Sequence, residues 1–356
     1  MLDFTVIVVT HNRAAILRET LTALRALSGR ASWELLVVDN GSTDATRDVV
    51  TAAGGDFPVP LRYQYEPAPG RYAALNHGIR AARGRFVANT DDDAFPREDW
   101  LDRALDGLMR FDCGFVGGPV FPVWGGAIPD WLDDLLADGV RGRNALPGKV
   151  LALQDYGPVT REYGKGIGWP LGVNIAYRPD VFERAGFFDG RLGRVAGTLR
   201  NQAQREWHLR ARAAGVSGVY LPDMVVHHTV SRDRLNKQYF RRWFFWHGVS
   251  RTIMHQGTGL DIVDPDTAGA APAGERHVAA VPLSVWRRMA LSAASWLRRA
   301  ARGDATAAFE YELWLAFCAG IVWHRWHGGR RFSGVPASQG EGAPGEVRGG
   351  HACAPH

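Results

Sequence analysis

FVANTDDDAFP, residues 86–96, sets three consecutive aspartates at the end of an apolar, strand-like run and just ahead of a proline. Carboxylates this close repel: two unit charges about 4 Å apart at an effective dielectric near 20 interact by roughly 4 kcal/mol. A positive group is therefore expected among Asp91, Asp92 and Asp93. In an extended segment successive side chains alternate faces, so Asp91 and Asp93 are expected on one side and Asp92 on the other. That is a two-carboxylate grip for one divalent cation, with positions left open for a phosphate-bearing substrate. A solvated acidic turn at a strand end is the competing reading.

Outward from this segment, the first hundred residues alternate strand-like and helix-like patterns. Residues 4–9 are a continuous apolar, β-branched run, and residues 14–27 carry Ile16, Leu17, Leu21, Leu24 and Leu27 at helical spacing. Residues 34–38 repeat the short apolar strand. Asn40-Gly41-Ser42-Thr43-Asp44 follows, with Gly41 supplying a turn and Ser42 placed to cap a helix running through Val50. Residues 61–65, 71–83 and 85–89 read as strand, helix and strand. This alternation predicts an α/β fold, a mostly parallel sheet with helices on both faces. Ligands of such sheets bind beyond the carboxyl ends of the strands, where four polar loops should meet: residues 10–13, 39–42, 66–71 and 91–93.

After about residue 110 the pattern loosens. Strands are predicted at 114–120, 172–177, 219–221 and 224–228, and helices at 131–137, 179–185, 203–214 and 235–254. A Pro- and Ala-rich linker is followed by helices at 283–302 and 305–326, and the Gly-, Ser- and Pro-rich tail from Ser333 reads as disordered. No internal repeat is present.

A chain of 356 residues, 46% apolar, has ample length for a core. Cys113, Cys318 and Cys353 are odd in number and scattered, which gives neither a disulfide framework nor a zinc spacing and fits a reducing cytosolic setting. The N-terminus lacks the basic region and length of a signal peptide. The apolar stretch at 313–323 is short of the ~18 to 20 residues of a spanning helix. The net charge of +5 is concentrated in Arg and Lys between residues 232 and 331. A basic, aromatic half of this kind can face nucleic acid or an anionic membrane.

Taken in order, TVIVVTHNR, ELLVVDNGSTDAT, Gly70-Arg71 with Ala74-Leu75-Asn76-x-Gly78-Ile79, and FVANTDDDAFPREDWL closely resemble the N-terminal half of glycosyltransferase family 2 over residues 4–101. The likeness continues more loosely to about residue 251. It implies a GT-A fold and a hexosyltransferase-like enzyme of polysaccharide biosynthesis. A nucleoside-diphosphate sugar of UDP or dTDP type would be the donor, a glycan or lipid-linked hydroxyl the acceptor, and Mg²⁺ or Mn²⁺ the cofactor. It further implies Asp91, Asp93 and His228 as metal ligands, and Thr10, Arg13, Asp39, Arg71, Asn76 and Asp92 around the nucleotide sugar. Gly172 and Asn174 would then shape the sugar and acceptor pocket. Independently of the family, an acceptor-only carboxylate at Asp39 suits a base N–H of uracil or thymine, and a cation on two carboxylates neutralises a departing diphosphate as a Lewis acid. The implied domains are 1–256 (a nucleotide-binding half, 1–110, and an acceptor-side half, 111–256), a linker at 257–282, helices at 283–332 and a tail at 333–356.

The family pattern fails at one place. An inverting transfer to a hydroxyl needs a general base, and the Glu-Asp pair that supplies it in the family falls here on Ala203 and Gln204. Glu206 is the nearest acid, three residues on from Ala203 and on nearly the same helix face, and is the expected substitute. Its alternative is a surface pairing with Arg210. Without a base, a non-catalytic sugar-nucleotide-binding or scaffold protein is the rival. A nucleotidyl- or phosphotransferase is a third reading, disfavoured by the lack of a Walker-type glycine cradle. No nucleic acid is expected as a partner. The C-terminal helices, Arg on one face and Trp and Phe on another, suit either a membrane interface or a helical cap. The expected location is cytoplasmic, within reach of the inner membrane face.

Overall fold

The computed structural model describes residues 1–137, 146–195, 197–263 and 274–331. The tail expected to be disordered and residues 264–273 of the expected linker lie outside them. Strands β1 (Phe4–Thr10) and β2 (Trp33–Asp39) pair in parallel over their whole length. β3 (Leu61–Tyr65) flanks β2, and β4 (Phe86–Asp91) flanks β1, both again parallel. Every residue of β2 and all but one of β1 are buried, as strands covered on both faces require. One face carries α1 (Ala14–Arg25), α2 (Thr46–Gly54) and α4 (Trp100–Arg110). The other carries α3 (Arg71–Ala81) and the helices Asp180–Ala185 and Ala203–Ala213.

Beyond β4 the sheet continues through β9 (Ile175–Tyr177), β6 (Phe115–Gly117), β10 (Gly218–Tyr220) and β8 (Arg161–Glu162), in the order β3-β2-β1-β4-β9-β6-β10-β8. β9 runs antiparallel to both of its neighbours. A second sheet of three strands, β5 (Ala94–Pro96), β11 (Val226–Val230) and β7 (Val120–Trp124), stands at the end of β4.

Three expectations are corrected. The single strand predicted at 114–120 is two strands, because the chain leaves the large sheet at Gly118, where a side chain would overlap the backbone of Met224. Helix α2 starts at Thr46 and not behind Ser42. Asp44 accepts the N–H groups of Ala14 (3.0 Å) and Thr46 (3.1 Å), while the Ser42 hydroxyl accepts the N–H of Asn12 at 2.8 Å. Third, the aspartates do not lie in one extended segment. Asp92 and Asp93 form the turn between β4 and β5, so strict alternation does not apply to them.

The helices Lys237–Thr258, Leu283–Ala301 and Ala305–Arg331 build a third core, in which Phe240, Trp243 and Phe244 meet Phe309, Leu313 and Phe317. Gly248 and Gly320 let the first and last of these approach backbone to backbone; a methyl on either would overlap a carbonyl oxygen of the other helix. The last helix is also longer than the apolar run in the sequence suggests: by length and composition Ala305–Gly328 could cross a membrane, yet one side of it is packed into this core.

Candidate active site

The loops after β1, β2 and β3 are sewn together. The N–H of Asn40 donates to Thr10 O (2.8 Å), the His11 imidazole Nδ1 bonds Asn40 O (2.7 Å), and the N–H of Gly70 donates to Asn40 Oδ1 (2.8 Å). The Asn40 amide in turn donates to Glu66 O at 3.1 Å and Ala68 O at 2.6 Å. Buried backbone groups need such partners, and here one side chain serves two loops. A cavity of about 720 Å³ opens beside them, lined in part by Thr10, Arg13, Arg71, Asp91, Asp92, Asp93, Gly172 and His228. Those eight expected site residues are brought together.

The positive charge demanded by the aspartates comes from arginine. Arg13 reaches Asp92 Oδ1 through Nη1 (2.5 Å) and Asp93 Oδ2 through Nη2 (2.7 Å). Arg71 pairs with Asp91, and Arg234 lies 3.5 Å from Asp93. His228 Nε2 stands 3.4 Å from Asp93 Oδ1, both side chains buried. Burial alone would raise the pKa of Asp93, but His228, Arg13 and Arg234 outweigh it and hold the carboxyl well below the usual range. At Asp92 burial wins over Arg13 and the carboxyl is pushed up to about 6.

Among the described residues no three His, Cys, Asp or Glu side chains form a cage for an ion. The donor set nevertheless fits Mg²⁺ or Mn²⁺. The 3.4 Å between Asp93 Oδ1 and His228 Nε2 is close to the roughly 3 Å separating adjacent ligands of an octahedral ion with bonds near 2.1 Å, and such ions keep water or phosphate in their other positions. Asp91, expected to share the ion, is instead held by Arg71.

Other expected residues are placed away from the cavity. Glu206 is only 8% exposed, and its carboxylate takes Arg210 Nε (2.6 Å) and Nη2 (2.9 Å). The same guanidinium donates to the carbonyls of Ala185 and Phe187. The expected base is thus a structural ion pair outside the cavity lining. Asn174 is fully buried and committed: Oδ1 accepts from Trp100 Nε1 (2.9 Å), and Nδ2 donates to Pro119 O (2.9 Å) and Met224 O (2.6 Å). It braces β9 rather than shaping a sugar pocket. Asn76 clamps the backbone of Phe188 through both its amide oxygen and nitrogen, at 3.1 and 2.9 Å, and does not line the cavity. Asp39 is buried and also outside the lining; Oδ1 accepts from the N–H of Ser42 (2.8 Å) and Oδ2 from the Tyr63 hydroxyl (2.7 Å). Each of its oxygens keeps a second acceptor site.

Several cavity residues escaped the sequence reading. Arg205, His208 and Arg212 line it from one stripe of the Ala203–Ala213 helix, a spacing of three and four that carried the signal. Gln204 sits against Gly172, which has no side chain to block it. Lys149, Arg194, Arg200 and Arg234 come from separate segments, and nothing local marks them. His208 is fully buried, its ring stacked on Trp169 at 5.3 Å, and burial drives its pKa down to about 3.

Residues 5–164 match the family model described as glycosyl transferase family 2. Residues 5–164 are a glycosyl transferase family 2 region. Glycosyltransferase AglE of Haloferax volcanii is 25% identical over 226 residues, which cover 62% of this chain and 64% of AglE. Succinoglycan biosynthesis protein ExoM of Rhizobium meliloti is 30% identical over 118 residues, 33% of this chain and 38% of ExoM. The chain therefore spans less than two thirds of either relative. The mannosyltransferase PcManGT from Pyrobaculum calidifontis, solved in complex with GDP-Man and Mn²⁺, matches 90% of this chain and 84% of its own with a TM-score of 0.55 at 21% identity. That likeness shows the GT-A fold, and the chain carries a C-terminal helical region.

Two outcomes follow from the placements. A histidine that is neutral when folded loses stability as acid is added: the unfolded chain takes up the proton from about pH 6.5 downward, the folded one only near the folded value. His208→Phe should flatten the loss between pH 6.5 and 3, at about 1.4 kcal/mol per pH unit, in urea titrations against the parent; matching slopes would contradict the buried neutral ring. Glu206→Gln should leave turnover within about twofold while lowering stability by about 1–3 kcal/mol, because a charge-assisted pair is lost. A collapse in turnover at preserved stability would restore Glu206 as base.

Proposed function

We propose that this chain transfers a sugar from a nucleoside diphosphate to an acceptor held in the same cavity, by single displacement with inversion. The observation that supports this most is the meeting of Asp91, Asp92, Asp93, Arg13, Arg71 and His228 in one cavity at the carboxyl edge of the parallel strands, where α/β sheets bind nucleotides. Asp93 and His228 are the residues to hold Mg²⁺ or Mn²⁺, with Asp91 available if Arg71 releases it. A cation there, when bound, neutralises charge developing on the departing diphosphate. Arg13, Arg71 and Arg234 border the same carboxylates and are positioned to take diphosphate oxygens. A donor of UDP or dTDP type follows from the sequence resemblance and not from Asp39, which is buried outside the lining. Inversion is favoured because the only carboxylates among the described lining residues are the three aspartates, each already paired with arginine; those residues include no separate carboxylate nucleophile for a double displacement.

The rival, a sugar-nucleotide-binding scaffold, draws on the burial of Glu206 against Arg210. Release of nucleoside diphosphate from a nucleotide sugar separates the two. The purified chain with Mn²⁺ should release it, and Asp93→Ala should slow release by about 100-fold or more, the scale of losing one electrostatic contact to developing charge. Donor binding by thermal shift with no turnover under any acceptor would favour the scaffold.

A membrane-facing position is proposed for the Leu283–Ala301 helix. Its outward stripe, Leu283, Ala290, Leu291, Ala294, Leu297 and Ala301, is exposed and apolar, with Arg287 and Arg298 on the same side and no acidic residue in the helix. Leu291 and Leu297 are 57% and 59% exposed. Such a face suits an anionic bilayer surface on the cytoplasmic side. The chain should sediment with phosphatidylglycerol vesicles and not with phosphatidylcholine ones, and the double change Leu291→Glu, Leu297→Glu should abolish it; unchanged sedimentation of the variant would exclude this face.

A further inference from the structure

The loop from Glu66 to Gly70 has little of its own to hold its shape. Pro67 and Pro69 have no N–H, and Pro67, Ala68 and Pro69 are exposed, so burial does not anchor them. Three N–H groups remain. That of Glu66 donates to Asp39 O (2.8 Å), that of Ala68 to the Glu66 carboxylate (2.8 Å) and that of Gly70 to Asn40 Oδ1 (2.8 Å). The carbonyls of Glu66 and Ala68 accept from the Asn40 amide at 3.1 and 2.6 Å. Three backbone groups of the loop thus end on one side chain.

Asn40 is itself fixed. It is only 8% exposed, its N–H donates to Thr10 O at 2.8 Å, and its carbonyl is bonded to the His11 imidazole at 2.7 Å. Both amide hydrogens go to loop carbonyls, which leaves a single lone pair on Oδ1 as the free capacity of the side chain. A lone pair does not bind a diphosphate. Although Asn40 lines the cavity, its amide is therefore turned to the loop and not to an anion.

What the loop delivers is Arg71. Gly70 has a φ of +125° and is the N-cap of α3, with no side-chain cap and with its carbonyl accepting the N–H of Ala73 at 3.0 Å. Glycine has few steric barriers of its own, so a bond from outside must select this conformation. Asn40 supplies that bond. Arg71 comes next, opens α3, donates its N–H to Arg194 O at 3.2 Å and pairs its guanidinium with Asp91.

We infer that Asn40 is a positioning residue of the donor site, acting through Gly70 to aim Arg71 at the diphosphate. This inference rests on the glycosyltransferase reading and adds to it a residue that touches no reacting atom. Without the arm, the Glu66–Gly70 loop and Arg71 must be ordered each time a diphosphate binds. Affinity falls by the preorganisation that is lost.

The full chain with Mn²⁺ is titrated with UDP, dTDP and GDP by calorimetry, at a temperature where urea melts show every variant folded. The tightest of the three is carried forward. Asn40→Ala should weaken it about tenfold, the scale of roughly one net hydrogen bond, and Arg71→Gln should weaken it at least as much. The double variant should bind within about twofold of Arg71→Gln alone, because an arm that acts through Arg71 then has nothing left to aim. A role in folding alone would leave binding by folded Asn40→Ala at the parent value, and a direct contact with the nucleotide would make the two losses multiply; either result overturns the inference. Asn40→Ser, too short to span the same three partners, gives the same reading if Asn40→Ala misfolds.

Hydrogen exchange without nucleotide separates this inference from the reading beneath it. In peptides spanning residues 66–72, Asn40→Ala should exchange about tenfold faster than the parent, and equal protection would overturn the positioning role whatever binds. Faster exchange with no binding of any of the three nucleotides would instead overturn the glycosyltransferase reading itself.

Discussion

Arg13 spanning Asp92 and Asp93 is the contact on which the donor end of the cavity depends. Two buried carboxylates on adjacent residues cannot both stay ionised without a cation between them, and one guanidinium supplies it bidentately from the end of β1. The same ion pairs tie β1 to the β4–β5 turn, so the loops of neighbouring parallel strands are fixed together by charge as well as by the Asn40 network. His228 and Arg234 then approach Asp93 from β11 and the segment after it. The turn is pulled from both halves of the domain at once.

That arrangement divides the cavity electrically. At the aspartate end positive and negative groups alternate, which suits a diphosphate and a divalent ion that bring equal and opposite charge. Toward the Ala203–Ala213 helix the charged side chains among the described lining residues are all basic. The Ala203–Ala213 helix opens with Ala203 and Gln204, and its one acid, Glu206, is drawn to Arg210 four residues along.

The C-terminal helices serve the core and the surface differently. Phe309, Leu313 and Phe317 fill the space against Phe240 and Phe244, and close approach at Gly248 and Gly320 fixes the crossing. The Leu283–Ala301 helix instead leaves leucines and arginines outward, which is costly in water unless something apolar covers them.

The sequence by itself determined the parallel half of the sheet, because buried β-branched runs at Phe4–Thr10 and Trp33–Asp39 and the leucine stripe of α1 are local patterns with one stable use. It also determined which turn holds the aspartates and that a cation must join them, since like-charge repulsion follows from adjacency alone. Tertiary structure decided the roles of individual side chains. Asn174, Asn76 and Glu206 look polar and available in the chain, yet Trp100, the backbone of Phe188 and Arg210 claim them, because a polar group removed from water must be satisfied wherever it lies. The basic lining was only partly legible: Arg205 and Arg212 share one helix stripe, but Lys149 and Arg234 join them only through folding.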